Sequence, residues 1–496
     1  MAISGILNTN TSALNTINAL NSTQGSLNTY LQQLSTGKSI NGPSNNPAGY
    51  AIAQRFQTQI NGLNQAVSNG NQGVSLVQTA TGAIQNQTSL LQQIRTTAVQ
   101  AANASNTSQD RQALQGVVSQ LLAQVQTIAT QTQFNGQNLL DGTFSGAQFQ
   151  VGSNANQIIN VSISNSQSNA IGNNTLAASG AVYSTSGAFT NGGYTPGSAY
   201  TISAGGGNFT AGTVSISGSA GASGISVTAD ESASNIAASV NGVSQSTGVT
   251  ATATNSVAFT VTSGSFAFSL SNGTSGSASN TVNISANVTA ANPTGLSGLV
   301  SEINNSTAQT GVAASVNSSS QLVLTQSNGQ NMLFSGFGGS GTLKAGGTSK
   351  TTLSSGTGSG VALVQGAVQF QSTQGYALSG GSKIGLTDIS SLTAVSTVNV
   401  STAEGAQQAI SVVDQAINTL NQQNGSLGAI QNRIQASVAN DQTTATNLQS
   451  AQSVVQDANI AQATSQMTKY QILQQAGIST LAQENSLQQS FLKLIP

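Results

Sequence analysis

The chain has 496 residues, enough for several domains with separate cores. It contains no Cys, no His and no Trp, which excludes thiol chemistry, disulfide scaffolding and histidine-based metal or acid–base sites. Charged residues make up 4% of the chain and the formal net charge is -1, against an ordinary charged share of about 25%, so there is no basic field for nucleic acid.

The first residues have neither a basic start nor a continuous apolar core, so no cleaved signal peptide is expected. No apolar run approaches the roughly 20 residues that span a bilayer, and no membrane partner is expected. The surplus of Ser, Thr, Asn and Gln without Cys instead reads as a secreted surface protein. A dedicated export channel would reconcile that composition with the missing leader.

In residues 1–42, Leu7, Leu14, Ile17, Leu20, Leu27, Leu31 and Leu34 recur at steps of seven, three and four, a near-heptad helical stripe. It stops at Gly37. The stretch Asn41–Gly49 is a loop by its turn chemistry, with Asn46 as N-cap and Pro47 opening a long helix to about residue 102. Asn103–Ser108 breaks that helix, and another runs from Asp110 to about Thr130 with Leu114, Val118, Leu121, Val125 and Ile128 on one side. Two alternating stretches, Ala147–Val151 and Ile158–Ile163, read as a hairpin. Residues 43–166 therefore form helical rods plus a β-hairpin.

From 167 to 400 Gly, Ser and Thr dominate and short β-favouring runs appear, at Thr213–Ile216, Val257–Val261, Ser265–Ser269 and Gln321–Leu324. Ser234–Asn241 aligns with Ser297–Asn304, 63 residues later, and Thr247-Gly-Val with Thr310-Gly-Val at the same offset. The expected units, about 212–269 and 280–337, each read as strand, short helix, strand, strand. Helical periodicity returns over 401–448, through Ile410, Val413, Ile417, Leu420, Leu427, Ile430, Ile434 and Val438. The last segment, 449–496, is expected to hold one helix from Val454 to Leu494. Its apolar positions include Met467, Ile472, Leu473, Ile478, Leu481, Leu487 and Leu492. Its partner stripe is expected in residues 4–34 or on other copies of the chain. The fold class is α+β and multidomain: a terminal helical coiled-coil and rod core with a β-rich, partly duplicated central insertion.

Nothing in the inventory builds a catalytic, cofactor or metal site. Asp230-Glu231 is the only adjacent carboxylate pair, and its Ser/Ala/Gly-rich setting reads as a turn or helix start. Gly336–Gly341 matches G-x-G-x-x-G, but the next stretch, Thr342–Gly347, is too short and glycine-broken for the helix a dinucleotide site needs. Without His there is no Ser-His-Asp triad.

Five segments, in order and at both ends, resemble bacterial flagellin: Ala48–Phe56, Leu91–Gln100, Thr132–Gly136, Ser426–Arg433 and Gln471–Gly477. The resemblance covers about residues 1–165 and 401–496, and the duplicated unit is more loosely similar to a repeat inserted in flagellins and hook-associated proteins. It implies a non-enzymatic homopolymer subunit, exported unfolded through the flagellar type III apparatus with an export chaperone. The subunit would assemble under a distal cap, next to hook-associated proteins, into the extracellular filament. The terminal helices would form the inner tube, with the apolar residues of the two end stripes packed in its core, the next helices the outer core, and the middle would face solvent. Alternatives are a hook–filament junction or minor filament protein, or a surface display or adhesin role of the middle. The chain departs from the family at Gln93, Thr97 and Val117, where a pattern read by Toll-like receptor 5 has Arg, Leu and Glu. The loss of a bidentate donor, an apolar anchor and a carboxylate implies weak or absent recognition. Asn45-Asn46 replaces an acidic pair, and Gln and Ser replace charges near 449–457.

Overall fold

The computed structural model describes residues 10–177, 182–184, 209–273, 279–317, 319–345, 352–354, 361–386 and 389–492. The helices are α1 (Thr11–Thr36), α2 (Pro47–Ala102), α3 (Ser108–Gln131), α4 (Ala233–Gly242), α5 (Ser244–Thr247), α6 (Ser297–Asn305), α7 (Thr307–Thr310), α8 (Ala403–Gln456) and α9 (Ile460–Leu492). Several helices begin where a side chain satisfies an otherwise orphaned amide. The Asn10 carboxamide accepts from the Ala13 N–H at 2.9 Å, and Asn46 accepts from Gly49 at 2.9 Å. Thr107 and Asp110 form a reciprocal capping box. α1 ends at Gly37 in the left-handed region, φ 69°.

The expected single helix from Val454 to Leu494 is two helices. α8 runs unbroken to Gln456, and α9 starts at Ile460. The break exists because the segment after α1 hydrogen-bonds into it. Ala458 N–H donates to the Gly37 carbonyl at 2.9 Å and Ser39 N–H to the Gln456 carbonyl at 2.7 Å. Asn459 then caps α9 through the Gln462 N–H at 3.2 Å. Val454 consequently belongs to α8 and is 87% exposed.

The chain divides into two compact units. The first contains residues 1–81, 144–163 and 425–496. In it α1 packs along α9, while the first part of α2, the last part of α8 and the hairpin Ala147–Gln150/Ile158–Val161 share a core. Two glycines let α2 approach closely. A Cβ on Gly70 would lie 2.4 Å from Val438 Cγ2, and one on Gly73 3.1 Å from the Phe149 ring.

The second unit contains residues 82–143 and 164–424. Its helical part buries Ile84, Leu91, Ile94, Val118, Val125 and Leu420, the stripes read in the sequence. Its β part is antiparallel throughout. One apolar core gathers Phe259, Phe266, Phe268, Phe334 and Phe337 with Leu299 and Ile303 of α6. The other gathers Phe209, Val214, Ile216, Ile225 and Phe370 with Ile236 and Val240 of α4. Strand Thr250–Val261 serves both, with Ala251 in one and Val257, Phe259 and Val261 in the other. Its alternating Ala/Val/Phe and Thr residues set the inward and outward faces.

The repeat is visible atom by atom. Asn241 holds Ala251 by two hydrogen bonds, 2.9 Å to its carbonyl and 2.8 Å from its N–H. Asn304 holds Ala314 in the same way, at 2.9 and 2.7 Å. Thr247 and Thr310 each accept from the N–H two residues on at 3.2 Å, and Gly248 and Gly311 take φ of 73° and 70°. The elements occur in the expected order, with strand Gly221–Val227 added, but their pairing divides them differently. Strand Gly212–Gly218 pairs with Gly221–Val227, and Gly264–Gly273 pairs with Ser279–Val288. Each unit is therefore hairpin, two short helices, strand. The strand at 264–273 opens the second unit rather than closing the first, so the expected limits 212–269 and 280–337 shift.

Candidate assembly surface

α1 and α9 are antiparallel. Tyr30 stacks on Tyr470 with ring centroids 5.5 Å apart, Gln24 hydrogen-bonds Gln474, Leu20 lies against Gly477, and Thr16 Oγ1 donates to Glu484 at 3.0 Å. Two helices alone bury only their shared seam. Of the expected packing residues, Leu27 is buried, and Leu20, Leu34, Met467 and Leu481 are half-buried. Leu14, Ile17, Leu31, Ile472, Leu473, Ile478 and Leu487 are exposed. Leu7 and the side chain of Leu492 lie outside the described residues.

The position of the exposed set matters more than its size. At 3.6 residues per turn, Ile472 falls on the side of α9 away from Tyr470, Gln474, Gly477 and Glu484, and Leu487 about a quarter-turn from that seam, on its flank. Ile472 is 61% exposed. The expectation of one apolar stripe on the terminal helix is thus corrected: α9 is apolar on more than one side. A helix of that kind is stable when covered on more than one side, and in the single chain α1 covers one.

Charge contributes little here. Among the described residues the only ion pair is Arg95–Asp414, at 2.5 Å and exposed. Buried and half-buried amides hold the second unit's connections instead. Gln87, fully buried, donates to the carbonyls of Val125 at 3.1 Å and Ser166 at 3.3 Å. Gln126 accepts from the Ser168 N–H at 3.0 Å, and Gln115 accepts from the Val400 N–H at 2.6 Å. Gln423 donates to Ser164 at 2.9 Å. These four amides fix the connecting segments by which the β insertion leaves and returns to the helices. Sequence reasoning passed over them because it followed apolar periodicity. The signal was present at Gln87, which continues the stripe Ile84, Leu91, Ile94.

The altered receptor-patch residues sit on two helices. Gln93 is exposed and Thr97 half-buried on α2, where the Thr97 hydroxyl donates to the Gln93 carbonyl at 2.9 Å, and Val117 is exposed on α3. The Asp230-Glu231 pair forms the turn before α4: Asp230 takes φ 59°, and Glu231 accepts from the Thr228 N–H at 2.8 Å. After Gly336 the chain passes from strand Asn331–Gly338 to strand Thr342–Ala345, with no helix for a pyrophosphate. No group of three or more metal-ligating side chains and no membrane-length apolar helix occurs among the described residues.

Residues 7–145 match the bacterial flagellin N-terminal helical region, 410–495 the bacterial flagellin C-terminal helical region, and 267–328 the flagellin hook IN motif. B-type flagellin of Pseudomonas aeruginosa is 36% identical over 507 residues, covering 99% of each chain. Flagellin of Salmonella typhimurium is 30% identical over 530 residues, covering 99% of each. A solved structure of FliC from Burkholderia pseudomallei is 20% identical, covers 73% of this chain and 99% of that one, and superposes with a TM-score of 0.30, too low to bear on the fold. Full-length identity to flagellins, with both terminal regions matched, shows that this chain belongs to the bacterial flagellin family.

Proposed function

We propose that the chain is exported unfolded through the flagellar type III apparatus, with an export chaperone, and polymerises beneath a distal cap into the extracellular filament, whose base meets hook-associated proteins. The observation that carries the assembly step is the apolar surface left on the outward side of the α1–α9 pair. Neighbouring copies would bury it and complete a terminal-helix tube. The residues 167–400 would face solvent, and the helical rods and hairpin would lie between.

A charge on the terminal helix tests this reading. Leu473→Asp or Leu481→Asp is expected to abolish filaments while residues 50–440 stay folded and the protein stays monomeric. Normal filaments from either variant would overturn the reading. Deleting the gene is expected to remove the filament; a short stub or an altered junction would instead favour a hook–filament junction or minor filament protein. Weak recognition by Toll-like receptor 5 is part of the same proposal, from the residues at Gln93, Thr97 and Val117. A cell reporter response equal to that of an enteric flagellin would refute it.

A further inference from the structure

Asp441 of α8 faces a cleft of about 270 Å³ between the first part of α2, the turn of the 147–161 hairpin and α8. Gln59 and Leu63 of α2, Asn154 and Gln157 of the turn, and Asn440 and Thr444 of α8 line it. The walls carry amide and hydroxyl oxygens and no cation. Asp441 is 7% exposed, and its Oδ2 has no hydrogen-bond donor. Burial pushes its carboxyl above the usual carboxylate range. Other acids of the chain are served differently. Asp110 and Asp141 accept hydroxyl and backbone donors, Asp414 pairs with Arg95, and Asp457 accepts from Ser453.

A buried acid without a donor is unfavourable, and a cation delivered to it relieves the cost. The chain has 10 Lys and Arg in all. Two arginines of the same unit, Arg55 on α2 and Arg433 on α8, are exposed and, among the described residues, have no carboxylate partner. A guanidinium carries five donors in a planar fork, which suits one carboxylate ringed by amide and hydroxyl acceptors.

We propose that this cleft is an intersubunit socket that receives Arg55 or Arg433 of a second copy of this chain, whose guanidinium pairs with the Asp441 carboxylate. The proposal rests on the filament reading. In a chain with so few charges, such a pair would set the register between copies that apolar packing leaves loose.

The test is seeded polymerisation of the purified full-length protein on short fragments of its own filaments, with the critical concentration read by sedimentation. Asp441→Asn keeps the shape and removes the charge. It is expected to raise the critical concentration about tenfold or more, while the monomer melts no earlier than the parent protein. Adding Arg55→Gln or Arg433→Gln should, for one of the two, worsen assembly no further, because the pair is already lost. An unchanged critical concentration for Asp441→Asn overturns the socket, as do effects that add in full for both arginines. If the parent protein does not polymerise on its seeds, the filament reading falls first and takes the socket with it. If it does polymerise and Asp441→Asn is neutral, the socket alone falls.

Discussion

Gly70 and Gly82 occupy the same helix, α2, yet their replacement by Ala is expected to have opposite effects. Neither has a positive φ, so each gains the helix propensity of Ala over Gly, about 0.8–1 kcal/mol. At Gly82 no heavy atom lies within 4 Å of the new methyl, and the gain should appear in full. At Gly70 the methyl would fall 2.4 Å from Val438 Cγ2 and 3.6 Å from Ile434 Cγ2. The first distance is well inside carbon–carbon contact, so Val438 must leave its place or α8 must move. Overpacking of this kind costs about 1–3 kcal/mol. Gly70→Ala should therefore end between neutral and about 2 kcal/mol less stable, some 1–3 kcal/mol below Gly82→Ala. Gly70→Ala with Val438→Ala should recover part of the loss. Urea unfolding of the monomer gives the global effect, and native-state hydrogen exchange of the amides near each site gives the local one, which matters in a chain with two units. Gly70→Ala as stable as Gly82→Ala would mean that α2 and α8 do not approach as described.

The two halves of the repeat should respond alike to loss of their asparagine clamp. Asn241→Ala and Asn304→Ala each remove two hydrogen bonds to the following strand, at a cost of about 1–3 kcal/mol in urea unfolding; a neutral result at either would break the equivalence. Gln87→Leu should lose a similar amount and loosen hydrogen-exchange protection around Ser166, whose carbonyl it leaves without that donor. The start of α3 should be acid-sensitive. The Thr107 hydroxyl and N–H hold the Asp110 carboxyl below the usual range. Its contribution is then present above the unfolded pKa, about 3.9, and is lost as pH falls through the lower folded pKa. Amide exchange in the first turn of α3, followed downward from pH 5, should rise at higher pH in Thr107→Ala than in the parent, and identical profiles would refute the link.

Much of this molecule is legible in its sequence because long helices announce themselves. The stripes through Ile84, Leu91 and Ile94 or through Val118 and Val125 are buried where their period places them, and Asn46 and Pro47 mark the start of α2. The break at Asp457–Asn459 was not legible, because its cause is the backbone of Gly37 and Ser39, far away in sequence. Strand Gly221–Val227 was missed for the opposite reason. Its Gly, Ala and Ser carry little β preference of their own, and pairing with Gly212–Gly218 supplies the order. At the assembly surface, the sequence marks which residues are apolar, while the α1–α9 seam decides which of them remain uncovered. Nothing in the sequence around Asp441 signals its burial, because the hairpin turn that closes over it is distant in the chain.

The chain has no native Cys, which permits a direct measurement of what covers α9. Ile472→Cys and Leu487→Cys, with Ser226→Cys in the exposed β insertion as reference, can be treated with a thiol reagent as monomer and as filament. All three are expected to react in the monomer, and in the filament only the Ser226→Cys variant should react. Equal labelling of Ile472→Cys and Leu487→Cys in monomers and in intact filaments would contradict the claim that neighbouring copies bury the surface of the terminal helix that α1 leaves uncovered.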